Sequence, residues 1–243
     1  MITTEKNIKA ELIKSNNRGF ANHGWLKSHH SFSFADYYEP NKINFGALRV
    51  LNDDTIAGAM GFGMHPHANM EIITIVLDGE LKHADNMGVS EIIVPDEIQI
   101  MSAGTGIMHS EHNNKSNSEL NLLQIWVLPK QKDITPRYDQ KKFDPELRKN
   151  KFQLLVSPEK SNETLWINQD AYFSLARIEM GNTLEYNKNK TENGVYLFVI
   201  EGAAHVNEYE LNKRDALAVS EFESLKITAT KNTNLLAIEI PMY

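Results

Sequence analysis

The 243 residues carry a net charge of -7, 41% hydrophobic and 23% charged residues, and no cysteine. That balance is globular rather than disordered. It argues against a general grip on nucleic-acid phosphates, and the missing thiols exclude disulfide scaffolds, iron–sulfur clusters and cysteine nucleophiles together. No apolar run reaches membrane-spanning length. The start, Met1-Ile2-Thr3-Thr4-Glu5-Lys6, lacks the apolar stretch of a signal peptide, so a cytoplasmic location is expected.

In chain order, short apolar runs predict strands at Phe45 to Leu51, Met70 to Leu77, Glu91 to Val94, Ile98 to Met101, Leu120 to Leu128 and Lys151 to Val156. Turn signals such as Asp78-Gly79, Met87-Gly88 and Pro95-Asp96 separate them. This is the pattern of an antiparallel sandwich or barrel. One short helical turn is expected at Asp144 to Asn150, with Asp144 as N-cap and Pro145 at the first helical position. The charged segment Pro129 to Asn150 divides the chain. Beyond it, Tyr196-Leu197-Phe198-Val199-Ile200-Glu201-Gly202 repeats the pattern of Thr74-Ile75-Val76-Leu77-Asp78-Gly79: an apolar strand, an acid, a glycine. The chain therefore reads either as duplicated halves or as one large sandwich. The second half has a single histidine, His205, and places Lys188 and Lys190 before its repeat strand where the first half has two histidines.

Those two belong to His65-Pro66-His67, and a second pair lies in His109-Ser110-Glu111. Residues two apart on a strand point to one face, so each pair can aim both side chains at one point. Gly104 and Gly106 allow the tight bend that would deliver the second pair. Three imidazoles and a carboxylate suit iron(II), manganese, nickel, copper or zinc rather than calcium or magnesium. Glu71 is also a candidate. Four residues of strand cover roughly 13 Å, so Glu71 reaches the ion only if the chain bends after Pro66. Glu111 needs no bend and is the expected ligand, with Glu71 as an outer partner of a ligating histidine.

His65-Pro66-His67-Ala68-Asn69-Met70-Glu71 followed by Gly79 resembles the first cupin motif, and Gly104-Thr105-Gly106-Ile107-Met108-His109 through Asn113 resembles the second. More specifically, the chain resembles the pirins. The segments that carry this are Arg18 to Leu26, His30 to Tyr38, Met64 to His67, Met101 to Glu111, and Gln124-Ile125-Trp126 running into Pro136-Arg137-Tyr138. The resemblance covers most of residues 18–140 and is much weaker beyond. It implies an all-β bicupin, two antiparallel β-barrel (jelly-roll) domains in one chain. Residues 1–140 would form the metal-binding barrel and residues 141–243 a barrel without metal. It implies His65, His67, His109 and Glu111 as ligands of one mononuclear divalent metal, iron(II) foremost, with manganese, nickel, copper, cobalt or zinc as substitutes. It further implies a quercetin 2,3-dioxygenase activity, in which Glu111 takes the proton of a flavonol and O2 opens the ring with release of carbon monoxide. The alternatives are a metal-dependent regulatory module that binds a protein partner, or another cupin enzyme.

The remaining histidines are weighed individually. His23, His29 and His30 lie in an aromatic-rich arm and are read as packed residues rather than cavity lining. His112 points away from the ligand face, and His83 is read as having no claim to the site. Phe45, Phe62, Met64, Ile107 and Met108 are the candidates for cavity walls. No membrane or direct nucleic-acid partner is expected, and a monomer is, because the two halves can cover each other's open sheet faces.

Overall fold

A computed structural model describes residues 8–243; Met1 to Lys6, read above for a signal sequence, lies outside the described residues. Among the described residues no helix is long and apolar enough to cross a membrane. The chain forms two compact units, one of residues 18–143 and 159–169, the other comprising 144–158, 170–243 and the N-terminal segment up to Asn17.

In the first unit the larger sheet runs, edge to edge, Arg137–Lys142, Glu97–Ser102, Glu71–Asp78, Leu120–Val127, Leu48–Ile56, Leu26–His30, Gly19–Asn22. The smaller sheet runs Gly61–His67, Ile107–Asn113, Leu81–Asp85, Ser90–Ile93. All the registered pairings are antiparallel. The sheets share one core: Ile56, Val76 and Leu122 of the larger pack with Leu81 and Ile93 of the smaller. A second cluster of Ile72, Met101, Ala103 and Ile107 lies beside Met70 and Trp126. Alternation explains both clusters, since every second residue of a half-buried strand faces the partner sheet.

The expected strands are present, with shifts. The run expected at Phe45 to Leu51 begins at Leu48 and continues through Asn52-Asp53-Asp54 to Ile56. Those polar residues lie beyond the expected run, yet Asn52 and Asp54 are buried and line a cavity. The helical turn is a short 3-10 segment, Pro145–Arg148, and Asp144 Oδ1 accepts from the Glu146 amide at 3.0 Å.

In the second unit the strands Thr183–Asn187, Ser224–Ala229, Ala203–Val206 and Tyr209–Asn212 form the smaller sheet. They share a core with Asn193–Glu201, Thr233–Pro241 and their neighbours, through Tyr186, Leu211 and Ile227 against Leu197, Leu217 and Leu235. The sequence repeat is structural: Glu71–Asp78 and Asn193–Glu201 are central strands of their sheets. Each is followed by a glycine at φ near 90° that turns the chain into a strand of the smaller sheet. The first described strand, Lys9–Ile13, joins this second unit by pairing with Ala216–Ser220.

Candidate metal centre

Gly61–His67 and Ile107–Asn113 are neighbours in the smaller sheet of the first unit, with His109 opposite His65 and a register shift between His109 and Glu111. The shift inserts an irregularity at the ligand pair, a common device for re-aiming side chains beside a site. The rings of His65, His67 and His109 converge, with centroids 4.4 Å (His65–His109), 4.9 Å (His65–His67) and 4.9 Å (His67–His109) apart. Their ligand atoms lie within 4.8 Å of one another; a second, overlapping group under the same limit is His83, His109 and Glu111.

Several observations fit this donor set to a metal. His109 is buried, and neither of its ring nitrogens makes a hydrogen bond. Two orphaned buried nitrogens are costly unless something electrophilic satisfies them. Burial, followed by repulsion from His65, pushes the His109 pKa down to about 3. Burial, then His109 and His65, pushes that of His67 down to about 4. Both imidazoles are therefore neutral at pH 7, the form in which they can donate a lone pair. His65 Nδ1 lies 2.8 Å from the Gly63 carbonyl; a proton donated there leaves Nε2 free as a ligand. Glu111 is held by Gln124, whose Nε2 donates to both carboxylate oxygens at 3.1 and 2.9 Å. Thr74 Oγ1 stands 3.5 Å from Glu111 Oε1 and 3.1 Å from Gln124 Oε1.

Glu71 is elsewhere. The bend after Pro66 does occur, with Asn69 at φ 51°, but it carries the chain into the larger sheet. There Thr74, on the opposite parity from Glu71, faces Glu111. Glu71 instead accepts from Ser102 Oγ at 2.8 Å and from the Asn168 amide at 3.2 Å. Its place as an outer partner of a histidine is thus corrected by strand parity. Burial, opposed by those two hydrogen bonds and Arg137, raises its pKa to about 7.

His83 is the residue the sequence reading set aside. It is fully buried, sits opposite Glu111 in the ladder, and has its Nε2 3.3 Å from Asp85 Oδ2. Its Nδ1 has no hydrogen bond. Its i,i+2 partner is Asp85, a signal the sequence carried and the reading passed over; the pairing of its strand with Ile107–Asn113 brings it to the site.

The imidazoles open onto a cavity of about 630 Å³, lined by His65, His67, His109 and Glu111 on one side and by Phe20, Trp25, Phe34, Tyr37, Phe62 and Trp126 around it. Of the expected wall residues only Phe62 lines this cavity. Met64 and Met108 are exposed, Ile107 is core, and Phe45 forms a bridge to Leu48. His23 and His30 line it, which the sequence reading did not favour, although His30 is also buried and hydrogen-bonded to Asn52 as expected of a packed arm residue; His29 lies tilted against Phe20. The arm is laid across the cavity because Leu26–His30 pairs along Leu48–Ile56.

An all-β protein built of paired sheets, with a histidine-rich site opening onto an aromatic cavity, is the class the coordinates define. The comparisons place the chain within it. Residues 13–127 match the family model for pirin, and residues 154–240 match that for the quercetinase C-terminal cupin domain. A quercetin 2,3-dioxygenase of Escherichia coli (strain K12) is 42% identical over 95% of this chain and 98% of its own length. A pirin-like protein of Caulobacter vibrioides is 41% identical over 91% and 95%. Among solved structures, YhhW from Escherichia coli superposes with a TM-score of 0.92 at 41% identity, covering 97% of this chain and 99% of that one. The bacterial pirin YhhW in complex with nickel(II) gives 0.91 at 40% identity, covering 97% and 100%. The chain belongs to the pirin family.

Proposed function

We propose that this pirin is a metal-dependent flavonol 2,3-dioxygenase, a bicupin whose N-terminal barrel alone holds the metal. The observation that carries the reading is the opening of His65, His67, His109 and Glu111 onto one aromatic cavity. The names of its relatives, and the nickel(II) bound by the Escherichia coli pirin, support it. In this reading those four residues are the ligands of one first-row divalent ion, iron(II) foremost. When bound, the ion supplies Lewis-acid stabilisation to a developing enolate.

The chain's own residues do the rest. Glu111 accepts the proton of the flavonol 3-hydroxyl, which requires the two oxygens within hydrogen-bond reach. Gln124 keeps the carboxylate aimed, so its freedom is lost before substrate arrives rather than during reaction. The aromatic walls hold a planar substrate and exclude water, which would otherwise compete for the flavonolate. In the overall reaction both atoms of O2 enter the product and one ring carbon leaves as carbon monoxide.

The test is carbon monoxide release from quercetin in air by protein loaded anaerobically with iron(II), against a His65→Ala/His67→Ala double variant. Stoichiometric carbon monoxide that the double variant does not produce is the expected result. No carbon monoxide from wild type shown to contain iron overturns the assignment.

A further inference from the structure

The cavity has a second polar wall, away from the three imidazoles. Leu26–His30 and Leu48–Ile56 pair so that Ser28 stands opposite Asp54 and His30 opposite Asn52. Alternation turns all four into the cavity, and all four line it. Each is less than 5% exposed. The His30 ring lies against Phe34, Phe34 against Trp126, and Trp126 against His67, and Asn52 stands opposite Gln124 in the ladder, so the wall continues from the residue that holds Glu111.

The four side chains bond to one another through only part of their capacity. Ser28 Oγ donates to Asp54 Oδ1. His30 Nδ1 sits 2.9 Å from Asn52 Oδ1 and 3.3 Å from Ser28 Oγ. Those bonds engage Asp54 Oδ1, His30 Nδ1 and Asn52 Oδ1, leaving Asp54 Oδ2, His30 Nε2 and Asn52 Nδ2 for the cavity the four residues line. With the His30 proton on Nδ1, facing the Asn52 oxygen, the free set is a carboxylate oxygen, an imidazole lone pair and an amide donor. Buried networks left half satisfied are costly, and a core needing only rigidity would use apolar residues here. The free atoms are two acceptors and one donor at the edge of an aromatic slot.

We propose that Ser28, His30, Asn52 and Asp54 form a recognition site for phenolic hydroxyls of an aromatic substrate. Asp54 and His30 accept from the hydroxyls, Asn52 donates to one, and Ser28 holds the Asp54 carboxylate in place. The site selects polyhydroxylated aromatics over their unsubstituted parents. Burial chiefly, with Asp53 and Glu111 adding and Ser28 opposing, raises the Asp54 pKa to about 7; an incoming hydroxyl donor compensates the charged form for the water it lacks. The inference rests on the aromatic-substrate reading above.

Binding tests it separately from turnover. Nickel(II)-loaded protein without oxygen is titrated with quercetin and with 3-hydroxyflavone, which keeps the 3-hydroxyl and 4-carbonyl but no other hydroxyl. Trp25 and Trp126 line the cavity, so quenching of their fluorescence reports occupancy. Wild type is expected to bind quercetin roughly ten-fold or more tightly than 3-hydroxyflavone, the scale of hydrogen bonds to a charged group. Asp54→Asn and Ser28→Ala should each narrow that ratio to about three-fold or less while leaving the 3-hydroxyflavone Kd unchanged. An unchanged ratio in both variants, no preference in wild type, or no binding of either flavonol overturns the site. Equal weakening of both ligands in both variants also overturns it, since that marks damage to the cavity. Carbon monoxide release tests the reaction alone: its absence with the expected Kd ratios would sink the dioxygenase assignment and leave the hydroxyl site standing.

Discussion

His109 is the residue on which the two overlapping ligand groups meet. Both its nitrogens are buried and unbonded, so its removal deletes a ligand and not merely a contact. His109→Ala should weaken nickel(II) binding, measured by competition with a chromogenic chelator, by more than the roughly 10–100-fold that loss of an outer partner costs. Gln124→Leu should fall within that 10–100-fold range in affinity or in carbon monoxide release, because it keeps the ligands but frees the Glu111 carboxylate. Equal losses in the two variants would show that Gln124 is no mere outer partner. The i,i+2 pairs were legible at this scale because a strand's period is two and two ligand types at that spacing are rarely idle. Gln124 and Thr74 were not, since each reaches Glu111 from the facing sheet, and contacts between sheets leave no mark on a single sequence; His83 reaches the site by ladder pairing with Glu111, which the sequence does not show either.

At the scale of elements, the turns place the ligands. Gly104 sits at φ 46°, and a Cβ there would lie 1.9 Å from the Ile134 carbonyl oxygen. That oxygen already accepts from the Thr105 amide at 2.9 Å. An added methyl therefore meets backbone that is itself tied, and cannot be relieved by a rotamer change. Gly104→Ala should cost on the order of 3 kcal/mol or more in a urea titration, the range of strain at special backbone positions. A loss under about 1 kcal/mol would mean that the Ile134 segment yields freely. The glycine was legible as a bend before His109, but the carbonyl that forbids a side chain was not. The same holds for Asn52-Asp53-Asp54. Polar residues interrupt an apolar run until a cavity is known to face them, so the strand's continuation from Leu51 to Ile56 was not read.

Over the whole molecule, the repeat read in the sequence has a structural counterpart, because Gly79 and Gly202 make the same left-handed turn after equivalent central strands. The joining of Lys9–Ile13 to the second unit was not legible, since five residues of mixed polarity would pair as well with any open edge. That strand is secured at Asp215, which accepts from the Ser15 amide at 2.7 Å and Lys14 Nζ at 3.0 Å. Burial raises the Asp215 pKa, and the amides of Asn212 and Ser15 together with Lys14 outweigh it, leaving a net depression. Glu71, in the first unit, is shifted the opposite way, to about 7. The two units should therefore respond to pH with opposite sign. A carboxyl raised on folding binds more protons folded than unfolded, so its contribution is complete below about 4.5 and is lost as pH climbs through 7. A carboxyl depressed on folding contributes at neutral pH and loses that contribution as acid protonates it. All three tryptophans, Trp25, Trp126 and Trp166, belong to the first unit, so their fluorescence follows that unit through a urea titration. On metal-free protein, Glu71→Gln should raise the fluorescence midpoint at pH 8 and change it little at pH 5. The full linkage between the two carboxyl forms is on the order of 3 kcal/mol. Asp215→Asn should leave the fluorescence midpoint unmoved at both values. It should instead lower the part of the circular-dichroism transition that fluorescence does not follow, with a deficit greater at pH 7 than at pH 3. A Glu71→Gln effect equal at pH 5 and pH 8 would mean that the carboxyl is ionised in the folded chain throughout, and that Arg137, rather than burial, sets its charge.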